Sequence, residues 1–237
     1  MKWIDRIKCL YWESKFCNNK NYSIALCNYL QTIKHQKYYK DPYKNRFVVL
    51  DTETTGLDYR KDRVISFGGV RIENLEINIS DSLEMIIKTE TAGDKESIAV
   101  HGIRNVDAQA GEERKLFFEK LLYYLQGDIL VGHHVMFDKN ILSNNMKEYF
   151  PITLLNPVID TLDLAVYYEQ LLTSKNLYAD EVIKKDFSLD KLIERYNIKA
   201  SGRHTSIGDA LITAELFLKL VKKLSTRKGF NILGFIK

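Results

Sequence analysis

Proline and glycine are scarce in this chain, 3 and 12 of 237 residues. That scarcity excludes a collagen-like or low-complexity protein and argues against long disordered stretches. Cysteine is scarcer than a stapled fold needs. Cys9, Cys17 and Cys27 are the only ones, an odd number confined to the first 27 residues. A disulfide framework is not expected from them, and free or buried thiols in a reducing interior are the simpler reading. With His35 they make a nominal four-ligand set, but the gaps are long where a zinc site shows close ligand pairs. No apolar run approaches the roughly 20 residues of a membrane span. Residues 1–12 mix charged with apolar side chains and lack the continuous apolar core of a secretory signal. The expectation is a cytoplasmic protein with no membrane partner.

What is present is a globular composition, 45% hydrophobic and 28% charged, in a chain long enough to bury a full core. The formal net charge is +4, and its distribution says more than its size. Residues 1–45 hold nine Lys/Arg against three Asp/Glu, so the remainder is slightly acidic. Within that basic segment Trp3, Ile4, Ile7, Leu10 and Tyr11 fall on one helical stripe. A turn at Asn18–Asn21 separates them from a second stripe of Tyr22, Leu26, Tyr29, Leu30 and Ile33. The segment 1–45 therefore reads as a helical extension. It serves either as a brace on the main domain or as an arm that grips nucleic acid or a protein partner, and an ordinary solvated lysine face favours the brace.

From residue 46 the pattern changes. Phe47–Asp51, Arg63–Ile72 and Ser82–Lys88 predict three strands with short links, an antiparallel meander. Helices are predicted over Glu113–Gln126, Phe137–Tyr149, Leu162–Leu172, Ser188–Tyr196 and Gly208–Leu224, with brief strands at Asp128–Val131 and Val158–Ile159. The order βββαβαβα implies an α/β domain over 46–226, a mixed sheet flanked by helices, followed by a tail over 227–237.

Three constellations carry chemistry. Asp51 and Glu53 end the first strand two residues apart, so their side chains point the same way. Crowded carboxylates repel, and a hard divalent cation such as Mg²⁺ or Mn²⁺ relieves the repulsion. Asp138 follows Gly132-His133-His134 at a strand-to-helix junction, and Asp209 opens the last helix five residues after His204, which sits in a Gly/Ser/Arg loop. A histidine can accept a proton from water near neutral pH. Taken singly, each constellation is explained as well or better by a turn or a helix start. The 14 Tyr and 11 Phe are mostly core material, although exposed aromatics can stack on bases.

Taken together, Asp51-Thr-Glu53-Thr-Thr-Gly56-Leu57, Gly132-His-His-Val-Met-Phe137-Asp138 and His204-Thr-Ser-Ile-Gly-Asp209 resemble the three motifs of the DEDDh family of 3′–5′ exonucleases. That family includes the proofreading epsilon subunit of bacterial replicative DNA polymerase. Val100-His101-Gly102-Ile103 and Asp160-Thr161-Leu162 resemble two supporting stretches, and the likeness runs from about Phe47 to Leu224. The resemblance implies a ribonuclease-H-like fold with a mixed five-stranded sheet. It implies two divalent cations, Mg²⁺ or Mn²⁺, held by Asp51, Glu53, Asp138 and Asp209, with His204 as general base. It implies Thr54, Leu57 and His101 as contacts to the terminal nucleotide. The implied reaction is hydrolysis at nucleic-acid 3′ ends, preferably single-stranded, releasing 5′-mononucleotides. DNA trimming or proofreading leads, with an RNA-trimming enzyme or a non-catalytic nucleic-acid-binding module as alternatives. A polymerase or other protein partner would dock through residues 1–45. The chain departs from the pattern at His134, where asparagine is usual, at Ser66, where glutamate is usual, and at the proline-free loop Thr89–Ser97.

Overall fold

The computed structural model describes residues 3–17, 23–173 and 186–237. Five strands form one mixed sheet: β1 (Phe47–Thr54), β2 (Val64–Glu73), β3 (Glu76–Ile86), β4 (Ile129–Gly132) and β5 (Val158–Asp160). Their order is β3-β2-β1-β4-β5. The first three pair antiparallel, as the meander predicts, and β4 and β5 join parallel to β1. β3 begins at Glu76, six residues before its predicted start. Its added half reads Glu-Ile-Asn-Ile-Ser-Asp, a half-exposed edge strand whose polar residues hide the strand pattern.

The strand period of two assigns each face of β1 a partner. Val48 and Leu50 join a core with Phe117, Phe118 and Leu121 of α5 (Arg114–Leu125) and with Ile141, Leu142 and Met146 of α6 (Val135–Met146). Phe47 and Val49 face a second core built on α7 (Thr161–Thr173), α8 (Leu189–Arg195) and α9 (Ser206–Ser225). The Phe47 and Phe217 rings lie 4.9 Å apart there. Each fully buried Leu or Phe on α9 contributes about 1.5–3 kcal/mol, so this helix is anchored along its length. Ser188 caps α8 as expected, accepting from Lys191 N. Two short helices that the sequence pattern did not predict, α3 (Lys95–His101) and α4 (Asn105–Gln109), lie in the polar stretch between β3 and α5.

In the extension, α1 (Trp3–Trp12) and α2 (Ile24–His35) pack as a hairpin, and Leu26, Tyr29, Leu30 and Ile33 of α2 are buried in the core that holds α5. The Tyr29 hydroxyl donates to Asn156 Oδ1 and accepts from Leu155 N, both at 2.7 Å, which ties the extension to the loop before β5. Of the predicted α1 stripe, Ile7, Leu10 and Tyr11 are exposed, and Cys9 of the same helix is buried. One expectation is corrected here. Cys17 and Cys27 are not free thiols but form a disulfide, their Cα atoms 5.5 Å apart, because the hairpin returns α2 beside the end of the preceding helical segment. The Cys9 thiol is free and donates to Leu30 O, so no zinc set assembles from these cysteines and His35 among the described residues. The predicted turn at Asn18–Asn21 lies outside the described residues. The tail runs back along the sheet, where Lys237 and Val158 exchange backbone hydrogen bonds beside β5. No helix among the described residues is long and apolar enough to cross a membrane.

Candidate active site

The alternation that splits β1 between two cores also distributes the site. Asp51 and Glu53 continue the Phe47/Val49 side and point toward α9, whereas Thr52 continues the Val48/Leu50 side and points toward α6. Asp209, in the first turn of α9, joins the first pair: ligand oxygens of Asp51, Glu53 and Asp209 lie within 4.8 Å of one another. Asp138, buried in the first turn of α6, meets Thr52, whose hydroxyl donates to Asp138 Oδ1 at 2.7 Å. Both helix-borne aspartates sit where a helix N-terminus favours negative charge.

Glycine sets how closely α9 approaches the strands. A Cβ on Gly68, the residue paired with Asp51, would stand 2.2 Å from Ile207 N and from the Ser206 carbonyl carbon. The Ser66 and Ser206 hydroxyls meet at 2.7 Å in the same contact. Ser66, the departure noted in the sequence, thus fastens α9 to β2. Thr205 caps α9 by accepting from Gly208 N. In the loop before it His204 is exposed, with φ +66°, and its backbone N–H donates to Asp209 Oδ2 at 3.2 Å.

The carboxylates crowd one another. Burial, followed by the charges of Asp138, Glu53 and Asp209, holds the Asp51 carboxyl well above the ordinary range. Burial and then Asp209 and Asp138 push Glu53 up to about 7. Burial raises Asp138 to about 7 against the lowering effect of the Thr52 hydrogen bond. Arg203 provides partial compensation: its Nη1 lies 2.5 Å from Asp209 Oδ2, and its Nη2 lies 2.8 Å from Asp190 Oδ1 on α8. Asp209 Oδ1 is buried and meets no hydrogen-bond partner among the described residues. An acceptor left bare inside an anionic cluster fits a hard cation and is costly without one.

The second constellation is bracketed by the Asp160-Thr161-Leu162 stretch. Asp160 Oδ1 accepts from His134 N and Leu162 N, both at 3.0 Å, which pins the left-handed His134 at the start of α6. Thr161 Oγ1 donates to Gly132 O and meets His133 Nδ1 at 3.0 Å. Burial, with His134 alongside, pushes the His133 imidazole down to about 3, so it is neutral at physiological pH.

The three residues expected at the terminal nucleotide are placed differently from one another. Leu57 is 88% exposed on the loop beyond β1. The Thr54 hydroxyl donates to Gly56 O at 2.7 Å, leaving its side chain engaged within that loop. His101 is buried, and its Nδ1 accepts from Ile103 N, which is the geometry of a loop-packing residue. Sequence reasoning missed Thr52 and Arg203. Both adjoin motif residues, but a strand threonine and a loop arginine carry no distinctive spacing.

Comparisons with known proteins give the family and the fold. The family model described as "Exonuclease" matches residues 48–217. The DNA polymerase III PolC-type protein of Caldanaerobacter subterraneus subsp. tengcongensis is 32% identical over 184 residues, 76% of this chain and 12% of the relative. The DNA polymerase III subunit epsilon of Aquifex aeolicus is 26% identical over 185 residues, 78% of this chain and 85% of the relative. The crystal structure of E. coli Exonuclease I in complex with a dT13 oligonucleotide superposes with a TM-score of 0.63 at 19% identity, covering 77% of this chain and 42% of that one. The fold is the ribonuclease-H-like exonuclease fold, and the chain spans about an eighth of the length of its PolC-type relatives.

Proposed function

The chain belongs to the exonuclease family, and from that premise we propose that it is a metal-dependent 3′–5′ exonuclease. It hydrolyses phosphodiester bonds at nucleic-acid 3′ ends, preferably of single-stranded DNA, and releases 5′-mononucleotides in trimming or proofreading. The observation that carries this reading is the Asp51–Glu53–Asp209 cluster, with a bare buried oxygen and an exposed histidine on the adjoining loop.

Asp51, Glu53 and Asp209 would hold Mg²⁺ or Mn²⁺, with Asp138 completing the acidic set from the α6 side. When bound, a pair of such ions activates water toward phosphorus and stabilises the departing 3′ oxygen. The residues themselves do the rest. His204, hinged on the loop at residues 201–205, accepts the proton of the attacking water. Thr52 holds Asp138 in one orientation through the opposite face of β1. Leu57 projects into solvent, where its side chain can wedge against the terminal base, while the Thr54 backbone contacts the same nucleotide. The epsilon relative is by name a polymerase subunit, which supports a polymerase or other protein partner reached through residues 1–45.

The test compares single strands with a free 3′ hydroxyl and with a blocked 3′ end, in DNA and in RNA. Release of 5′-mononucleotides from the free end alone is expected, faster on DNA. Digestion from the 5′ end, or nucleoside 3′-phosphate products, would overturn the assignment.

A further inference from the structure

A cleft of about 800 Å³ lies where the extension and the tail meet the domain. Arg6, Lys34, Lys37, Lys139 and Lys237 line it, against one acidic side chain, Asp5. Three of the five cations are already engaged: Lys34 with Glu13 at 2.8 Å, Lys237 with Asp163 at 2.6 Å, and Lys139 with the Asn156 carbonyl at 2.6 Å. Arg6 and Lys37 are exposed and pair with no carboxylate among the described residues. Tyr39, 43% exposed, stands on the same wall.

We propose that this cleft binds the phosphodiester backbone of a single-stranded nucleic acid, as a subsite separate from the acidic cluster. Three observations support it. The excess positive charge of the chain resides in residues 1–45, and two of its unpaired cations face this space. A basic groove with an exposed aromatic is how single strands are held without reading sequence: phosphates meet cations and a base stacks on the ring. The walls come mostly from residues 5–39 and 233–237, outside the stretch matched to the family, so the cleft is an addition to the exonuclease domain. Lys139, one residue after Asp138 on α6, belongs to its lining. The proposal rests on the exonuclease reading for its choice of ligand. A strand seated here and entering the acidic cluster by its 3′ end would be retained between successive cuts.

The experiment measures binding without cleavage. A fluorescein-labelled oligothymidylate of about 20 nucleotides is titrated with the full chain in EDTA, across a range of salt, for wild type and for the Arg6→Ala/Lys37→Ala double variant. Both positions are exposed, and circular dichroism checks that the variant folds. For single strands log K falls by about 0.7 per phosphate contact with log salt, so losing two contacts flattens the slope by roughly 1.4 and weakens low-salt binding roughly tenfold. Equal affinity and equal slope would overturn the proposal. So would polyglutamate binding that depends on Arg6 and Lys37 while oligonucleotide binding does not, which would make this an acidic-peptide site. Hydrolysis of a dinucleotide, too short to span both sites, is measured alongside with Mg²⁺. The double variant should match wild type there, and a selective loss on dinucleotide would place these residues at the acidic cluster and overturn the separate subsite. A wild type inert on every substrate would remove the exonuclease reading while leaving the binding result to stand or fall by itself.

Discussion

The Arg203 guanidinium stands 2.5 Å from Asp209 Oδ2, while Asp209 Oδ1 faces no donor among the described residues. A side-chain cation therefore occupies half of a carboxylate that the cluster would otherwise offer to a metal ion. Arg203→Ala should strengthen Mn²⁺ binding by roughly threefold to tenfold, about 1 kcal/mol of removed competition. Titration calorimetry reads this directly. Weaker binding in the variant would mean that Arg203 holds Asp209 in its ligating pose rather than competing for it.

Thr52 is sterically mimicked by valine, which cannot donate to Asp138. Thr52→Val should lower kcat roughly tenfold to a hundredfold, the range seen when an outer partner of a metal site is removed. Thr52→Ser should recover most of it, since the hydroxyl is restored. Steady-state rates of the three proteins decide the matter, and full activity in the valine variant would remove Thr52 from the supporting shell.

The carboxylate crowding has a sign in stability. The Glu53 pKa is raised from 4.5 to about 7, so its contribution to stability is intact below about pH 4.5 and lost as pH rises through 7. His133 runs the opposite way. Pushed down to about 3, it costs stability as pH falls below its unfolded value, so wild-type melting alone mixes the two. Glu53→Gln isolates the first effect. In metal-free buffer its Tm should exceed that of wild type by more at pH 8 than at pH 5, and Mn²⁺ should stabilise it less. A constant difference across pH would show that repulsion at Glu53 does not destabilise the apoprotein.

Tyr29 connects the extension to the loop before β5 through two hydrogen bonds. Tyr29→Phe leaves Leu155 N–H and Asn156 Oδ1 without that buried partner and should cost about 1–3 kcal/mol by denaturant unfolding. An unchanged midpoint would show that the extension is not coupled to the domain through this residue.

The legible parts of the molecule were those set by local periodicity. β1 is a run of buried branched residues, and a period of two forces Asp51 and Glu53 onto one face, so the strand and its paired carboxylates could be read from residues 47–53. Asp138 and Asp209 were legible as helix starts, and only their order along the chain marked them as part of one site. Long-range contacts were not legible. That Gly68 and Ser66 receive α9, or that Asp160 pins His134, depends on which strands become neighbours. The Cys17–Cys27 pairing likewise follows from the hairpin and not from spacing. On α1 the apolar stripe was legible as a helix, but the exposure of Ile7, Leu10 and Tyr11 was not, because periodicity fixes a stripe and not which side is covered.

Removing a single carboxylate decides whether the acidic cluster is a hydrolytic metal site. Wild type and Asp51→Ala are incubated with a 5′-labelled single strand and Mg²⁺ or Mn²⁺, and products are resolved at single-nucleotide steps. A ladder of stepwise shortening is expected with wild type and an intact strand with Asp51→Ala, whose circular dichroism should match wild type. A full-length band persisting with wild type, beside a control nuclease active in the same buffer, or an undiminished ladder from the variant, would contradict that assignment.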